Sequence, residues 1–153
     1  MQEIETILKN SKTIAMIGVS SLKEKEDRTN LKRKPSTIVM KYMQEFGYKV
    51  IPVNPFAVGE IIHGEKVVAK LGDINEKIDI VNVFRPSKET PGIAEDAVKI
   101  NAKVLWLQYG IKNDEAEKIA NDANMKYISN KCIKQEYQRL FLKSNPVFPV
   151  LKD

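Results

Sequence analysis

The feature that most restricts the fold of this chain is an alternation of short apolar segments with longer segments of helical periodicity. The first apolar segment, residues 13–18, is a continuous run that ends at a glycine. Such a run, without polar alternation, is typical of a strand buried on both faces of a sheet. Four later segments of strand length follow, so five strands are predicted, at residues 13–18, 48–53, 78–84, 103–108 and 125–129.

Segments with helical spacing separate these strands. A proline precedes the stretch 36–46 and a glycine follows it, as is common where helices begin and end. Thr90-Pro91 opens a second helix, Asn113 can cap a third, and residues 133–141 have the spacing of a last helix. The apolar positions that define the face of the first helix are Ile38, Val39, Tyr42, Met43 and Phe46.

Strands that alternate with helices are joined by crossover connections, which produce a parallel sheet with helices on both faces. We therefore predict an α/β fold, a three-layer, Rossmann-like, doubly wound domain with a five-stranded, mostly parallel sheet. This domain is expected to occupy residues 1–142, followed by a C-terminal tail, residues 143–153. Ligands of such sheets bind outside the carboxyl ends of the strands, so the residues after each strand are the candidates for a site.

The composition narrows the possible functions. The chain has 153 residues, of which 42% are hydrophobic, as expected for one globular domain with a core. No apolar run approaches the ~18 residues that cross a bilayer, and the N-terminus is acidic where a secretion signal is basic. A cytoplasmic protein is therefore expected. The single Cys132 and single His63 exclude an intrachain disulfide and a His/Cys zinc site, and the polar turn around His63 favours a solvated histidine over a catalytic one.

The net charge of +5 is unevenly distributed. Residues 23–34 contain six lysines and arginines but only three acidic residues. Such an excess indicates an anionic partner, such as a phosphate group or a nucleic acid, although a solvated loop has the same composition. Because the stretch lies between the first strand and the first helix, it overhangs the edge where ligands are expected.

The first two strands end in residues that favour a phosphate ligand but not NAD. Gly18 allows the backbone to approach a phosphate, and Val19 and Ser20 supply N–H groups and a hydroxyl, although a glycine here is also ordinary in a turn. Ser20 occupies the position of the second glycine in the G-x-G-x-x-G fingerprint. Asn54 and Pro55 stand where NAD-binding domains carry the carboxylate that holds the ribose. These departures argue against a nicotinamide dehydrogenase.

The third and fourth strands also end in residues suited to a ligand. Phe84 and Arg85 place an aromatic face and a cation beside the expected cleft, and Arg85 suits either a two-point phosphate contact or a salt bridge to a neighbouring helix. Gln108 offers donors and acceptors to a ligand or to the next loop. Pro35 and Ser36 open the first helix, whose free N–H groups and dipole attract an anion.

Six ordered motifs together resemble those of the stand-alone CoA-binding domain proteins. The resemblance covers about residues 5–142. It extends more distantly to the CoA-binding domains of succinyl-CoA synthetase α chains and ADP-forming acyl-CoA synthetases. The motifs are Ile17-Gly18-Val19-Ser20, Arg33-Lys34-Pro35-Ser36, Val50-Ile51-Pro52-Val53-Asn54-Pro55, Val83-Phe84-Arg85-Pro86-Ser87, Val104-Leu105-Trp106-Leu107-Gln108 and Asn130-Lys131-Cys132-Ile133-Lys134.

The resemblance implies a Rossmann-like fold that binds CoA at the strand ends. Lys34 departs from the family, which usually has arginine there, so a two-point phosphate contact becomes a single point charge. Cys132 matches the cysteine of the family's Asn-x-Cys segment and is either a small packed residue or a redox partner for the CoA thiol. The implied roles are Gly18, Val19 and Ser20 for the pyrophosphate, Lys34, Pro35 and Ser36 for phosphate binding, Asn54 and Pro55 for the adenosine, and Phe84, Arg85 and Gln108 for the rest of the cleft.

Three functions remain open at the level of sequence. The leading hypothesis is a non-catalytic module that binds CoA or acyl-CoA and serves as a carrier, sensor or regulatory subunit. The alternative is an acyl-CoA-dependent enzyme or a subunit of a split acyl-CoA ligase, although no general base, nucleophile pair or metal cluster is visible at the strand ends. A nucleic-acid binder is disfavoured because residues 23–34 contain no aromatic residue for base stacking.

Overall fold

A parallel sheet forms the centre of the molecule. The computed structural model describes residues 2–21 and 35–142. Its main elements, in chain order, are helix α1 Gln2–Asn10, strand β1 Thr13–Ile17, helix α2 Pro35–Glu45, strands β2 Lys49–Val53, β3 Ile61–Ile62, β4 Glu65–Lys66 and β5 Ile80–Val83, helix α3 Thr90–Lys99, strand β6 Val104–Leu107, helix α4 Asp114–Asp122, strand β7 Lys126–Ile128 and helix α5 Ile133–Tyr137.

The five long strands pair in the order β2-β1-β5-β6-β7, and every pairing is parallel. The chain therefore adds β2 on one side of β1 and then returns to add β5 on the other side. This reversal creates the topological switch point between β1 and β5, outside whose carboxyl ends ligands bind in doubly wound sheets.

Two apolar layers cover the two faces of the sheet. On one face, side chains of α1, α2 and α5 pack against residues such as Ile14, Met16 and Trp106. On the other face, the alanines of α3 and α4 pack against Val81, Leu105 and their neighbours. The predicted three-layer, Rossmann-like α/β fold with a five-stranded sheet is confirmed. Among the described residues, no helix is long and apolar enough to cross a membrane.

The structure adds elements that the sequence analysis did not predict. Helix α1 precedes the sheet and buries Ile4 and Leu8. Strands β3 and β4 form a two-stranded hairpin whose turn holds His63 at φ 48° and Gly64 at φ 85°. Both values lie in the left-handed region that two-residue hairpin turns require. The predicted last helix changes after α5 into a π-helical turn, Gln138–Leu142.

Candidate functional site

Gly18 ends β1 at the switch point and lies against the segment that follows β5. Its φ is +91°, and a Cβ at this position would lie 2.8 Å from the carbonyl oxygen of Phe84 and 3.0 Å from Cδ of Arg85. The N–H of Phe84 donates to the carbonyl of Ile17 at 2.8 Å. The two strand ends are therefore in direct contact, and only a glycine fits between them without strain.

Hydrogen bonds fix the loop after β1. The N–H of Gly18 donates to the carbonyl oxygen of Val53 at 2.9 Å, and the N–H of Ser20 donates to Oγ of Ser36 at 3.0 Å. Val19 is fully buried, backbone and side chain alike. Its N–H makes no hydrogen bond to any residue that the structure describes. Ser20 is half-buried, and its hydroxyl is the donor that this loop offers to an anion.

The first turn of α2 lies beside this loop. Pro35 is the first helical residue, the buried Ser36 holds the Ser20 N–H, and the first turn contains no acidic side chain. The N-terminal end of a helix carries a partial positive charge and N–H groups without helical acceptors. Together with the loop after β1 it forms a corner suited to an anion. Lys34 and the basic stretch 23–34 lie outside the described residues.

Asn54 joins the loop after β2 to the loop after β1. Its Nδ2 donates to the carbonyl of Val19 at 2.8 Å, and its Oδ1 accepts from the N–H of Phe56 at 2.8 Å. Pro55 and Phe56 follow, and the Phe56 ring is 92% exposed. An exposed aromatic face beside Asn54 and Pro55 is an apolar wall on which a planar ring can stack.

Arg85, two residues after the end of β5, is paired with Glu89. Its Nε and Nη2 donate to the two carboxylate oxygens of Glu89 at 2.9 and 2.8 Å. This bidentate bond lowers the pKa of Glu89 and raises that of Arg85. Both side chains are partly exposed, so the pair contributes little to stability and a phosphate can compete for the guanidinium. Of the two roles that the sequence left open, the structure contains the salt bridge.

A cavity of about 660 Å³ extends from the first turn of α2 across the ends of β5 and β6 to α5. Its walls are mainly apolar, and they bring together residues from four of the predicted motifs. Phe84 and Gln108 lie at the strand ends, and Pro35 connects the cavity to the anion corner. The lining residues are Pro35, Val39, Phe84, Gln108, Tyr109, Ile111, Cys132 and Gln135.

Asn82 is a residue that the sequence analysis missed. It lies inside β5, is fully buried, and its Nδ2 donates to the carbonyl of Trp106 at 3.2 Å and to Oε1 of Gln108 at 3.1 Å. Its Oδ1 is buried without a partner in the described part of the chain. The signal was a polar side chain inside an apolar strand, which in a protein interior must serve a hydrogen-bond network.

Cys132 and His63 have different surroundings. Cys132 is half-buried, precedes α5 and lines the cavity next to Gln108. His63 lies in the predicted turn, but its Nε2 is 3.1 Å from the carbonyl oxygen of Thr37, so it joins the hairpin to α2 rather than being only solvated.

Within residues 2–21 and 35–142, no three His, Cys, Asp or Glu side chains form a group that could hold a metal ion.

Comparisons with known proteins connect this geometry to a family. The family model described as CoA binding domain matches residues 12–138. The uncharacterized protein YneT of Bacillus subtilis (strain 168) is 42% identical over 132 residues, 86% of this chain and 90% of that protein. A solved structure from Thermus thermophilus is 35% identical, with a TM-score of 0.80 over 92% of this chain and 98% of that one. The fold alone is shared with a dinucleotide-forming acetyl-coenzyme A synthetase from Ca. Korarchaeum cryptofilum, which is 22% identical, with a TM-score of 0.63 over 85% of this chain and 28% of the synthetase.

Proposed function

Because the chain belongs to the CoA-binding domain family, we propose that residues 1–142 form a single non-catalytic module that binds CoA or acyl-CoA rather than nucleic acid. Such a module acts as a carrier, a sensor or a regulatory subunit. The observation that carries the proposal is the hydrogen bond from the Ser20 N–H to Ser36 Oγ. It holds the loop after β1 against the first turn of α2 at the switch point.

This corner is the proposed pyrophosphate site. The Ser20 hydroxyl and the N-terminal end of α2 lie side by side there, and each favours negative charge. The mode is that of other nucleotide-binding α/β domains, in which a strand-end loop and a helix N-terminus hold a phosphate group. Lys34, next to Pro35 in the sequence, adds a point charge in this proposal and supports the phosphates of CoA.

The remaining parts of CoA extend from this corner in two directions. The adenosine lies toward β2, where Asn54 and Pro55 border it and the exposed Phe56 ring supplies a stacking face. The pantetheine arm lies toward β6, in the cavity that begins at Pro35 and passes Phe84 and Gln108. Arg85 exchanges its bond to Glu89 for a contact to phosphate.

The proposal is tested with Ser36→Ala, which removes the hydroxyl that holds the Ser20 N–H. We expect CoA affinity to fall about fivefold, since the net contribution of one hydrogen bond is about 1 kcal/mol. Isothermal titration calorimetry measures the affinity, and circular dichroism confirms that the variant is folded.

Ser11→Ala is the matched control, because Ser11 lies between α1 and β1 at the opposite edge of the sheet. Ser11→Ala also removes one serine hydroxyl, and it should leave CoA affinity unchanged. If Ser36→Ala binds CoA as tightly as the wild type, the pyrophosphate does not bind at this corner. If the wild type does not bind CoA at all, the proposed function is wrong.

A further inference from the structure

The orientation of the Gln108 side-chain amide is fixed by a backbone group. The N–H of Ile133 can only donate a hydrogen bond, and it lies 3.1 Å from the Gln108 side chain. The amide atom that faces it must therefore be the oxygen Oε1. Nδ2 of Asn82 donates to the same oxygen, and the carbonyl of Trp106 in turn fixes the orientation of the Asn82 amide.

This network leaves Gln108 Nε2 as a donor without an acceptor. Gln108 is only 5% exposed, and Nε2 makes no hydrogen bond within the described ranges. Unlike Asn82 Oδ1, Gln108 Nε2 keeps contact with solvent, so a ligand that displaces this solvent from the cavity must supply an acceptor in its place. Because Gln108 lines the 660 Å³ cavity, that acceptor comes from whatever occupies the cavity.

We propose that the cavity binds the acyl end of an acyl-CoA thioester, whose carbonyl oxygen accepts a hydrogen bond from Gln108 Nε2. This inference rests on the proposed CoA site, because it places the thioester at the far end of the pantetheine arm. Asn82 is a positioning residue in this arrangement, since it holds Gln108 Oε1 and does not touch the ligand.

The hydrogen-bond inventory distinguishes a thioester from an amide of the arm. A pantetheine amide brings a carbonyl and also an N–H, which needs an acceptor of its own. Gln108 Oε1 already accepts two hydrogen bonds, so it does not serve that N–H. A thioester brings an acceptor and no donor. The neighbouring walls, Val39, Phe84 and Ile111, are apolar and suit the alkyl part of an acyl group.

The test compares three ligands by calorimetric titration at pH 8: CoA, acetyl-CoA and S-ethyl-CoA, a thioether of nearly the same size without the carbonyl. We expect the wild type to bind acetyl-CoA about fivefold to tenfold more tightly than S-ethyl-CoA. Gln108→Glu keeps an oxygen for Ile133 and Asn82 but replaces the donor by a carboxylate oxygen. It should abolish the preference. Gln44→Glu adds the same charge outside the cavity and should retain the preference for acetyl-CoA over S-ethyl-CoA.

A second measurement does not depend on a variant that folds. On the wild type, the infrared band of acetyl-CoA carrying ¹³C at the carbonyl should lie at lower wavenumber than the band of the same thioester group in an aprotic solvent, because a hydrogen bond weakens the C=O bond. Equal affinities for acetyl-CoA and S-ethyl-CoA, or an unshifted band, would overturn the acyl proposal. If either of these results is obtained while all three ligands still bind tightly, the CoA site stands and only the acyl proposal is wrong. If none of the three ligands binds, both proposals are wrong.

Discussion

Gly18 has a φ of +91° and faces the carbonyl oxygen of Phe84 at a distance that leaves no room for a side chain. We expect Gly18→Ala to lower the free energy of unfolding by about 2–3 kcal/mol, the sum of backbone strain and the contact with Phe84. Urea denaturation measures this loss. In this variant, a loss of CoA binding cannot be separated from a loss of folded protein. Ser36→Ala is therefore the better probe of the anion corner.

Gly110→Ala is the matched control for this prediction. Gly110 has a similar φ of +87°, but a Cβ there would meet nothing within 4 Å. Gly110→Ala therefore reports the backbone strain alone, and we expect it to lower the free energy of unfolding by about 1 kcal/mol. Equal losses in the two variants would mean that Phe84 moves away without cost.

At the scale of elements, Asp79 joins the amino ends of three strands. One carboxylate oxygen accepts from the N–H groups of Lys12 and Thr13, at 2.8 and 3.2 Å, and the other lies 3.6 Å from Nζ of Lys103. Burial raises the pKa of Asp79, but the hydrogen bonds from Lys12 and Thr13 and the charge of Lys103 together lower it by more. The folded state therefore binds this proton more weakly than the unfolded state does.

A carboxylate with a lowered pKa stabilises the fold above its unfolded pKa, and this contribution is lost as the pH falls through the folded pKa. Asp79→Asn should therefore lower the free energy of unfolding by about 1–2 kcal/mol at pH 7. The difference from the wild type should narrow below about pH 4, where the unfolded-state carboxyl begins to take up its proton. Urea denaturation at a series of pH values measures it.

Asp122→Asn provides the comparison for Asp79. Asp122 forms an exposed ion pair with Lys118 at 2.8 Å, and such pairs contribute little. We expect almost no change in stability at any pH. A loss in Asp79→Asn that stays constant down to pH 2 would show that the carboxylate charge is not what stabilises the three strands.

The helices and strands show which parts of the fold can be predicted from sequence patterns alone. The five long strands could be predicted because each is a short apolar run, and the N-cap of α4 because Asn113 accepts from the N–H of Ala116 at 2.8 Å. Helix α1 also has a signal in the sequence, because Ile4, Ile7 and Leu8 have helical spacing. The β3–β4 hairpin had little signal, since its strands have two residues each and its turn begins with a histidine.

At the scale of the whole molecule, the strand order could not be predicted residue by residue, because it depends on which strands pair across the sheet. The same applies to the Gln108 network, which joins Asn82 to Ile133 across 51 residues of sequence. The strand-end residues were predictable because the fold class alone determines that they meet at one edge. Their partners, such as Glu89 for Arg85, depend on side-chain geometry that a motif does not contain.

Ligand choice is a property of the whole domain, and it follows from residues at both sides of the switch point. Ser20 replaces a glycine of the dinucleotide turn, and Asn54, which would face the ribose of NAD, is bonded to Val19 and Phe56. We expect CoA to raise the melting temperature in a thermal-shift assay, whereas NAD at the same concentration does not. A ligand that binds only the folded state at ~100-fold excess over its Kd adds about 2.7 kcal/mol of stability.

NADP is the most demanding control for this prediction, because its 2′-phosphate can also interact with the positive charge of residues 23–34. Raising the salt concentration separates the two kinds of contact, since screening weakens a surface attraction more than buried hydrogen bonds. The CoA shift should therefore persist in 0.5 M salt, and any NADP shift should disappear. An NADP shift that equals the CoA shift at both salt concentrations would show that the cleft recognises an adenosine polyphosphate of any kind, and the preference for CoA would be wrong.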